Sequence, residues 1–220
     1  MRRILPAAAA TSVALCALIA LGTWQMQRLR WKTEVLEAIA AAESAPPVPL
    51  GADPAPYAKV RAEGVFRPGA ALLGAEVRGN ALGGRLIALL DRPGQPPVLV
   101  DRGWVPRDRV GAPRHPAGRV EIVGYVRPGE TAGWFAAPDS LAAREFHTPA
   151  PAAIAAAFGA EAVAPFLLVA LGPPPPDGPP IPAATLPRPT NNHAAYAATW
   201  YGLGAVLVCI FAVWARRAAR

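Results

Sequence analysis

Two long apolar runs lie near the ends of the 220-residue chain, and between them the apolar positions fall into short alternating stretches. The first run, residues 5–24, reads LPAAAATSVALCALIALGTW. The second, residues 194–215, carries Trp200, Tyr201, Leu203, Val206, Leu207, Ile210, Phe211, Val213 and Trp214. Each supplies about 20 residues without a formal charge, enough for a helix to cross a hydrocarbon core of about 30 Å. Helical patterning continues beyond the first run. Over residues 24–42, Trp24, Arg28, Trp31 and Val35 share one face, and Gln25, Leu29, Lys32 and Leu36 line the adjacent one. The proline-rich SAPPVPLGADPAP that follows ends this helix, because proline lacks the donor and the space that a helix interior requires.

The middle of the chain reads as strands. AKVRAEGVF (58–66) alternates, with Val60, Ala62 and Val65 inward and Lys59, Arg61 and Glu63 outward. ALLGAEVR (71–78), GRLIALLDR (84–92), PPVLVDRGWVPRD (96–108) and GRVEIVGYVRP (118–128) follow, each bounded by Gly or Pro. This spacing predicts an antiparallel meander or barrel rather than βαβ units. PAAIAAAFGAEA (151–162) reads as a helix and FLLVAL (166–171) as a buried strand. The expected fold class is a membrane-anchored α+β protein, with two transmembrane helices flanking a mostly antiparallel β domain that holds one or two helices. The expected segments are a terminal stub 1–4, a transmembrane helix 5–24, its extension 25–45, and a β-rich domain 46–171. A Pro-rich linker 172–192, a second transmembrane helix 193–215 and a tail 216–220 complete the chain.

Charge changes this picture in one respect. The formal charge of +7 invites a nucleic-acid reading, but five of the 22 basic residues are Arg2, Arg3, Arg216, Arg217 and Arg220, leaving 17 against 15 acidic ones. The excess sits where orientation signals sit, since cations flanking a span stay in the cytoplasm. Both termini are therefore expected in the cytoplasm, with the β domain outside: in the periplasm of a bacterial inner membrane, or in the intermembrane space if the chain is mitochondrial. A cleaved signal peptide is the competing reading of the first run. The two cysteines, Cys16 and Cys209, lie one in each run, so no disulfide is expected in the β domain and no sequence-encoded zinc or copper site is apparent.

No catalytic spacing stands out. Serine occurs only at positions 12, 44 and 140, and phosphate-loop, nucleophile-elbow and His-Glu-x-x-His patterns are missing. The chain is thus expected not to be an enzyme. His115 and His147 sit in turn-like sequence and are expected to be solvated. His193 differs, because it opens the second run beside Tyr196, Trp200 and Tyr201. Two readings stand side by side. In one, aromatics form an interfacial belt and His193 hydrates the helix end. In the other, the imidazole ligates haem iron, a neutral imidazole being a common axial ligand. Trp24 and Trp31 would then supply flat apolar surface, and Arg28, Lys32 and Arg188 would meet the propionates.

Three blocks carry a resemblance. LGTWQMQRLRWK (21–32), VLVDRGWVP (98–106) and NNHAAYAATWYGLG (191–204) resemble, in order, the signature blocks of the Surfeit-locus family of cytochrome c oxidase assembly factors. Asp101 stands where the family pattern often has Asn, and Gly204 where Ala is usual. The resemblance implies a two-span membrane protein that binds haem a and assists its insertion into oxidase subunit I, with His193 as the iron ligand. Trp24, Arg28, Trp31, Lys32, Tyr196 and Trp200 are the pocket residues expected around it. Implied partners are subunit I, other assembly factors or haem a synthase, and the lipid bilayer, with no nucleic acid. The alternative is a scaffold that stabilises oxidase intermediates without carrying haem. RGWVP itself has two readings, a core bend with Trp104 buried, or a surface where Arg102 and Trp104 meet cofactor or oxidase.

Overall fold

The computed structural model describes residues 4–111 and 115–218. Arg2, Arg3 and Arg220, used above to orient the chain, lie outside the described residues. The chain divides into two compact units, Met1–Ala38 with Arg188–Arg220, and Ile39–Pro187.

The first unit is a helix pair. α1 (Ile4–Ser44) runs unbroken for 41 residues and stops before Pro46 and Pro47. At about 1.5 Å per residue it is about 60 Å long, twice the thickness of a hydrocarbon core of about 30 Å. α3 (His193–Ala218) has 26 residues and ends on Arg216 and Arg217, cations placed to complement its carbonyl terminus. Both helices are long and apolar enough to cross a membrane. Along α1 the shielded positions include Thr11, Leu15, Leu18, Gly22, Gln25, Leu29, Lys32 and Leu36, joined by Met26 and Val35. Along α3 they include His193, Ala197, Trp200, Gly204, Leu207 and Phe211. Steps of three and four alternate on both helices, the spacing that keeps one seam facing a partner. Two glycines stand in the seam where partner side chains leave no room for a larger residue. A Cβ on Gly22 would stand 2.6 Å from the Tyr201 ring, and one on Gly204 would stand 3.2 Å from Leu15 Cδ1.

The second unit is built on a closed five-stranded barrel. β2 (Lys59–Phe66), β6 (Arg119–Pro128), β8 (Phe166–Ala170), β5 (Gln95–Pro106) and β4 (Ala81–Arg92) pair in that order, and β2 returns to β4. Only Val65↔Asp91 and Phe66↔Leu90 close the ring. The pairings are antiparallel except β5–β8, which is parallel. β1 (Val48–Pro49) extends β2, while β3 (Ala71–Arg78) and β7 (Glu145–Phe146) extend β4, so the sheet is mixed rather than a plain meander. Inside pack Val60, Ala62, Phe66, Leu90, Val100 and Leu168 among others. A second apolar layer, Leu73, Ile87, Leu89, Leu99, Leu167 and Phe146, covers the outer face under Ile154 of α2 (Pro151–Ala156). Burial on both faces explains why LIALL, VLV and FLLVA read as continuous apolar runs. α2 is shorter than the expected 151–162. The inward set of β2 also differs from expectation: Gly64 and Phe66 continue the alternation from Ala62, and Val65 faces out. Gly64 has no room for a side chain, since a Cβ would meet Asp91 O at 2.2 Å.

The 172–192 stretch, expected as a linker, is held on the sheet over much of its length. Ile181 and Trp104 exchange both backbone hydrogen bonds at 2.8 Å, Ala183 N–H donates to Ala170 O, and Leu186 is buried. This seating explains Gly103, whose φ is +123° and whose Cβ would lie 2.1 Å from Ile181 O. Trp104 is buried and donates Nε1–H to Glu76 O at 3.1 Å, which favours the core reading of RGWVP.

Beside Gly103, Asp101 is 2% exposed. Its carboxylate accepts Arg85 Nε at 2.8 and 3.0 Å and Gly103 N–H at 3.0 Å. Burial pushes this carboxyl above the usual range, and Arg85 is the strongest of the influences opposing the shift. Asp101→Ala should cost about 3 kcal/mol, because it strands a shielded guanidinium and a backbone donor together. Asp101→Asn keeps an acceptor for Gly103 and should cost less. Thermal unfolding of the detergent-solubilised chain, followed by near-ultraviolet circular dichroism, would rank the two variants.

Candidate functional site

His193 begins α3 and meets Gln25 of α1, with His193 Nδ1 2.7 Å from Gln25 Oε1. The amide oxygen can only accept, so Nδ1 carries the proton and Nε2 presents its lone pair. Nε2 makes no hydrogen bond among the described residues. Gln25 is itself 9% exposed, an uncommon place for an amide on a membrane-length helix. Its position is local in origin, since Gln25 falls in the seam between Gly22 and Leu29. The approach to His193 is braced as well. Asn191 Nδ2 donates to Thr33 Oγ1 at 3.4 Å, and Thr33 donates to Leu29 O at 2.9 Å.

The expected pocket residues divide between seam and flank. Lys32 and Trp200 are half-buried in the seam with His193. Trp24, Arg28, Trp31 and Tyr196 are exposed. At about 100° per residue, α1 sets Trp24, Arg28 and Trp31 on one flank of the seam and Thr33 on the other. α3 sets Tyr196 on one flank and Tyr201 on the other. Tyr201 lies within 3.3 Å of Thr23 Oγ1 and against Gly22, which fixes the correspondence: Tyr196 falls on the flank of Trp24, Arg28 and Trp31. The Arg28 guanidinium lies 4.0 Å from the centroid of the Trp31 ring, within cation–π range. The result is one apolar, aromatic flank with a cation on it, beside an imidazole whose Nδ1 faces the Gln25 amide oxygen.

This donor set fits a planar iron macrocycle better than a bare ion. Among the described residues no three His, Cys, Asp or Glu side chains gather to hold a metal. A single imidazole suits an iron whose other in-plane ligands arrive with it. Two buried polar atoms of the same unit, Trp200 Nε1 and Asn191 Oδ1, have no hydrogen-bond partner among the described residues. Sequence alone gives Gln25 no role beyond its place on a helix face. A polar side chain at a seam position of an otherwise apolar pattern is the signal that identifies it.

The other two histidines are not simply solvated. His147 Nδ1 lies 3.6 Å from Asp139 Oδ1. His115 stacks on Phe66 with ring centroids 5.1 Å apart, its Nε2 lies 2.7 Å from Gly69 O, and Arg102 Nη1 lies 2.9 Å from its Nδ1. Arginine can only donate and a carbonyl can only accept, so this ring is neutral with its proton on Nε2. Burial, foremost, and Arg102 hold the His115 pKa below its ordinary 6.5, against the Gly69 hydrogen bond. A histidine depressed in the fold binds its proton more readily when unfolded. Its contribution is therefore fully present above about pH 6.5 and is lost as pH falls through the folded value. The melting temperature should fall on acidification from about pH 7 to 5, and fall less in His115→Gln.

The chain as a whole is similar to known proteins. The SURF1 family model matches residues 12–205. Surfeit locus protein 1 of Xenopus tropicalis is 30% identical over 223 residues, covering 85% of this chain and 68% of that protein. Surfeit locus protein 1 of Homo sapiens is 31% identical over 212 residues, covering 84% and 69% respectively. The Takifugu rubripes protein of the same name is 29% identical, covering 83% and 86%.

Proposed function

The chain belongs to the SURF1 family, and on that premise we propose that it is a membrane-anchored assembly factor for haem-copper cytochrome c oxidase, which holds haem a through His193 and assists its entry into subunit I. The observation that carries this reading is the His193–Gln25 hydrogen bond of 2.7 Å. Metal-ligating histidines are oriented by an acceptor at the other ring nitrogen, and Gln25 is such an acceptor. When bound, haem supplies the iron and the redox-active macrocycle that the oxidase requires. The chain's own residues then have separate tasks. His193 Nε2 would ligate, Trp24, Trp31, Tyr196 and Trp200 would offer apolar surface, and Arg28 and Lys32 would meet the propionates. A neutral amide raises imidazole basicity less than a carboxylate would, which suits a ligand that must later release its cargo.

In this reading α1 and α3 span the inner membrane, the barrel unit lies in the periplasm, and Arg216 and Arg217 keep the C-terminus cytoplasmic. Subunit I is the recipient, and haem a synthase or another assembly factor is the donor. The chain carries and positions without catalysing a reaction. A scaffold that stabilises oxidase intermediates is the competing function, and the same experiment separates them.

The chain should be purified from cells that make haem a, as wild type, His193→Ala and Gln25→Leu. The wild type should carry the absorption bands of haem a, and His193→Ala should lose them. Gln25→Leu should retain the ligand and bind haem about 10-fold more weakly, the usual scale for loss of an orienting partner. Unchanged haem content in His193→Ala would remove the ligand assignment. Oxidase deficiency in a strain whose copy of this protein never carries haem would favour the scaffold.

A further inference from the structure

Far from His193 in sequence, one loop of the barrel unit displays a pair of large aromatic side chains. Trp134 is 94% exposed and Phe135 is 95% exposed. They occupy the tip of TAGWFAAP, residues 131–138, which contains no ionisable group. The loop is held at both ends. Glu130 N–H donates to Pro149 O at 2.9 Å, and Asp139 Oδ1 accepts His147 N–H at 2.7 Å. Ser140 and Glu145 exchange backbone hydrogen bonds of 2.8 and 3.0 Å, and Glu145 pairs in register with Leu72 of β3. Arg107 also grips the Glu145 carboxylate. At the tip, Ala136 N–H donates to Gly133 O at 3.0 Å, which closes a turn around the two aromatics. The structure therefore spends hydrogen bonds on holding an apolar tip in water, the reverse of what hydration favours.

We propose that the Trp134–Phe135 tip docks into the interfacial layer of a lipid bilayer, as a third membrane attachment besides the two helices. Three observations select lipid over a protein partner. The two rings are almost fully exposed, so the tip offers projecting side chains rather than a pocket. It lacks the charges that give protein interfaces their register, whereas Trp and Phe on an uncharged backbone suit the headgroup–acyl boundary. The barrel unit is also continuous in sequence with a membrane-length helix on either side, so a bilayer is present at high effective concentration in every molecule. Glu130 and Asp139 bracket the tip, so the attachment is to neutral interface rather than to anionic headgroups. This inference rests on the reading of α1 and α3 as spans.

The test uses the full chain in nanodiscs of neutral phosphatidylcholine. Cys16 and Cys209 are replaced by Ala, and a nitroxide is placed at Phe135→Cys or, as an aqueous control, at Asp177→Cys. Power saturation with oxygen and with a water-soluble nickel chelate reads immersion depth. Position 135 should favour oxygen over nickel, at a depth of about 5–10 Å, and position 177 should favour nickel. Adding Trp134→Asp should return position 135 to nickel exposure, and raising the anionic lipid fraction should not deepen it. Nickel exposure at 135 equal to that at 177 would overturn the proposal while leaving the spans intact. A label shielded from both reagents would also overturn it, by showing protein contact. Failure of the chain to integrate into nanodiscs would remove the spans and the docking together.

Discussion

The barrel unit depends on a closure made by only two residue pairs, Val65 with Asp91 and Phe66 with Leu90. Every other strand pairing could persist in an open sheet, but without this one β2 and β4 would present unpaired edges. Five strands leave a narrow interior, and the closure is sterically possible because glycine stands where backbones approach. A Cβ at Gly64 would meet Asp91 O at 2.2 Å, and one at Gly124 would meet Val169 O at 2.3 Å. Closure in turn fixes the position of β5. From that strand come Asp101, which anchors Arg85, and Gly103 and Trp104, against which the Pro-rich return segment is hydrogen-bonded.

The helix pair obeys a related constraint. Gly22 and Gly204 lie in the seam that holds Gln25 and His193, and a Cβ on Gly22 would run into the Tyr201 ring. The same closeness brings a polar pair into an otherwise apolar seam, where each group must be satisfied by the other. Packing thus sets which ring nitrogen of His193 faces an acceptor. The aromatic flank of Trp24, Trp31 and Tyr196 remains open beside it.

Much of this was legible in the residues. β3 falls at 71–78 as expected, β6 within one residue, and α1 continues past its apolar run to Ser44. Alternation and proline placement are local signals, so local elements were readable. The failures came from long-range packing. Val65 is as apolar as any inward residue, and only the approach of Asp91 shows that Gly64 holds the inner position. Proline-rich sequence looks like a spacer until Trp104 supplies hydrogen-bond partners for Ile181. His115 looks like a turn residue until Phe66, Gly69 and Arg102 arrive from other elements. Residues 24–32 and 193–200 read as helix in the sequence, but Gln25 acquires meaning only from its partner.

That partner is an amide, and amides have two ends. A carboxylate beside His193 would accept in either orientation and would hold one tautomer permanently. Rotating the Gln25 carboxamide by a half-turn replaces Oε1 with an NH₂ group, which demands a lone pair from Nδ1 and drives the imidazole proton to Nε2. Nε2 then has no lone pair to offer, and the net charge is unchanged. The two arrangements differ only in which ring nitrogen holds the proton, and exchanging them would move no charge within the apolar seam, where moving one would be costly.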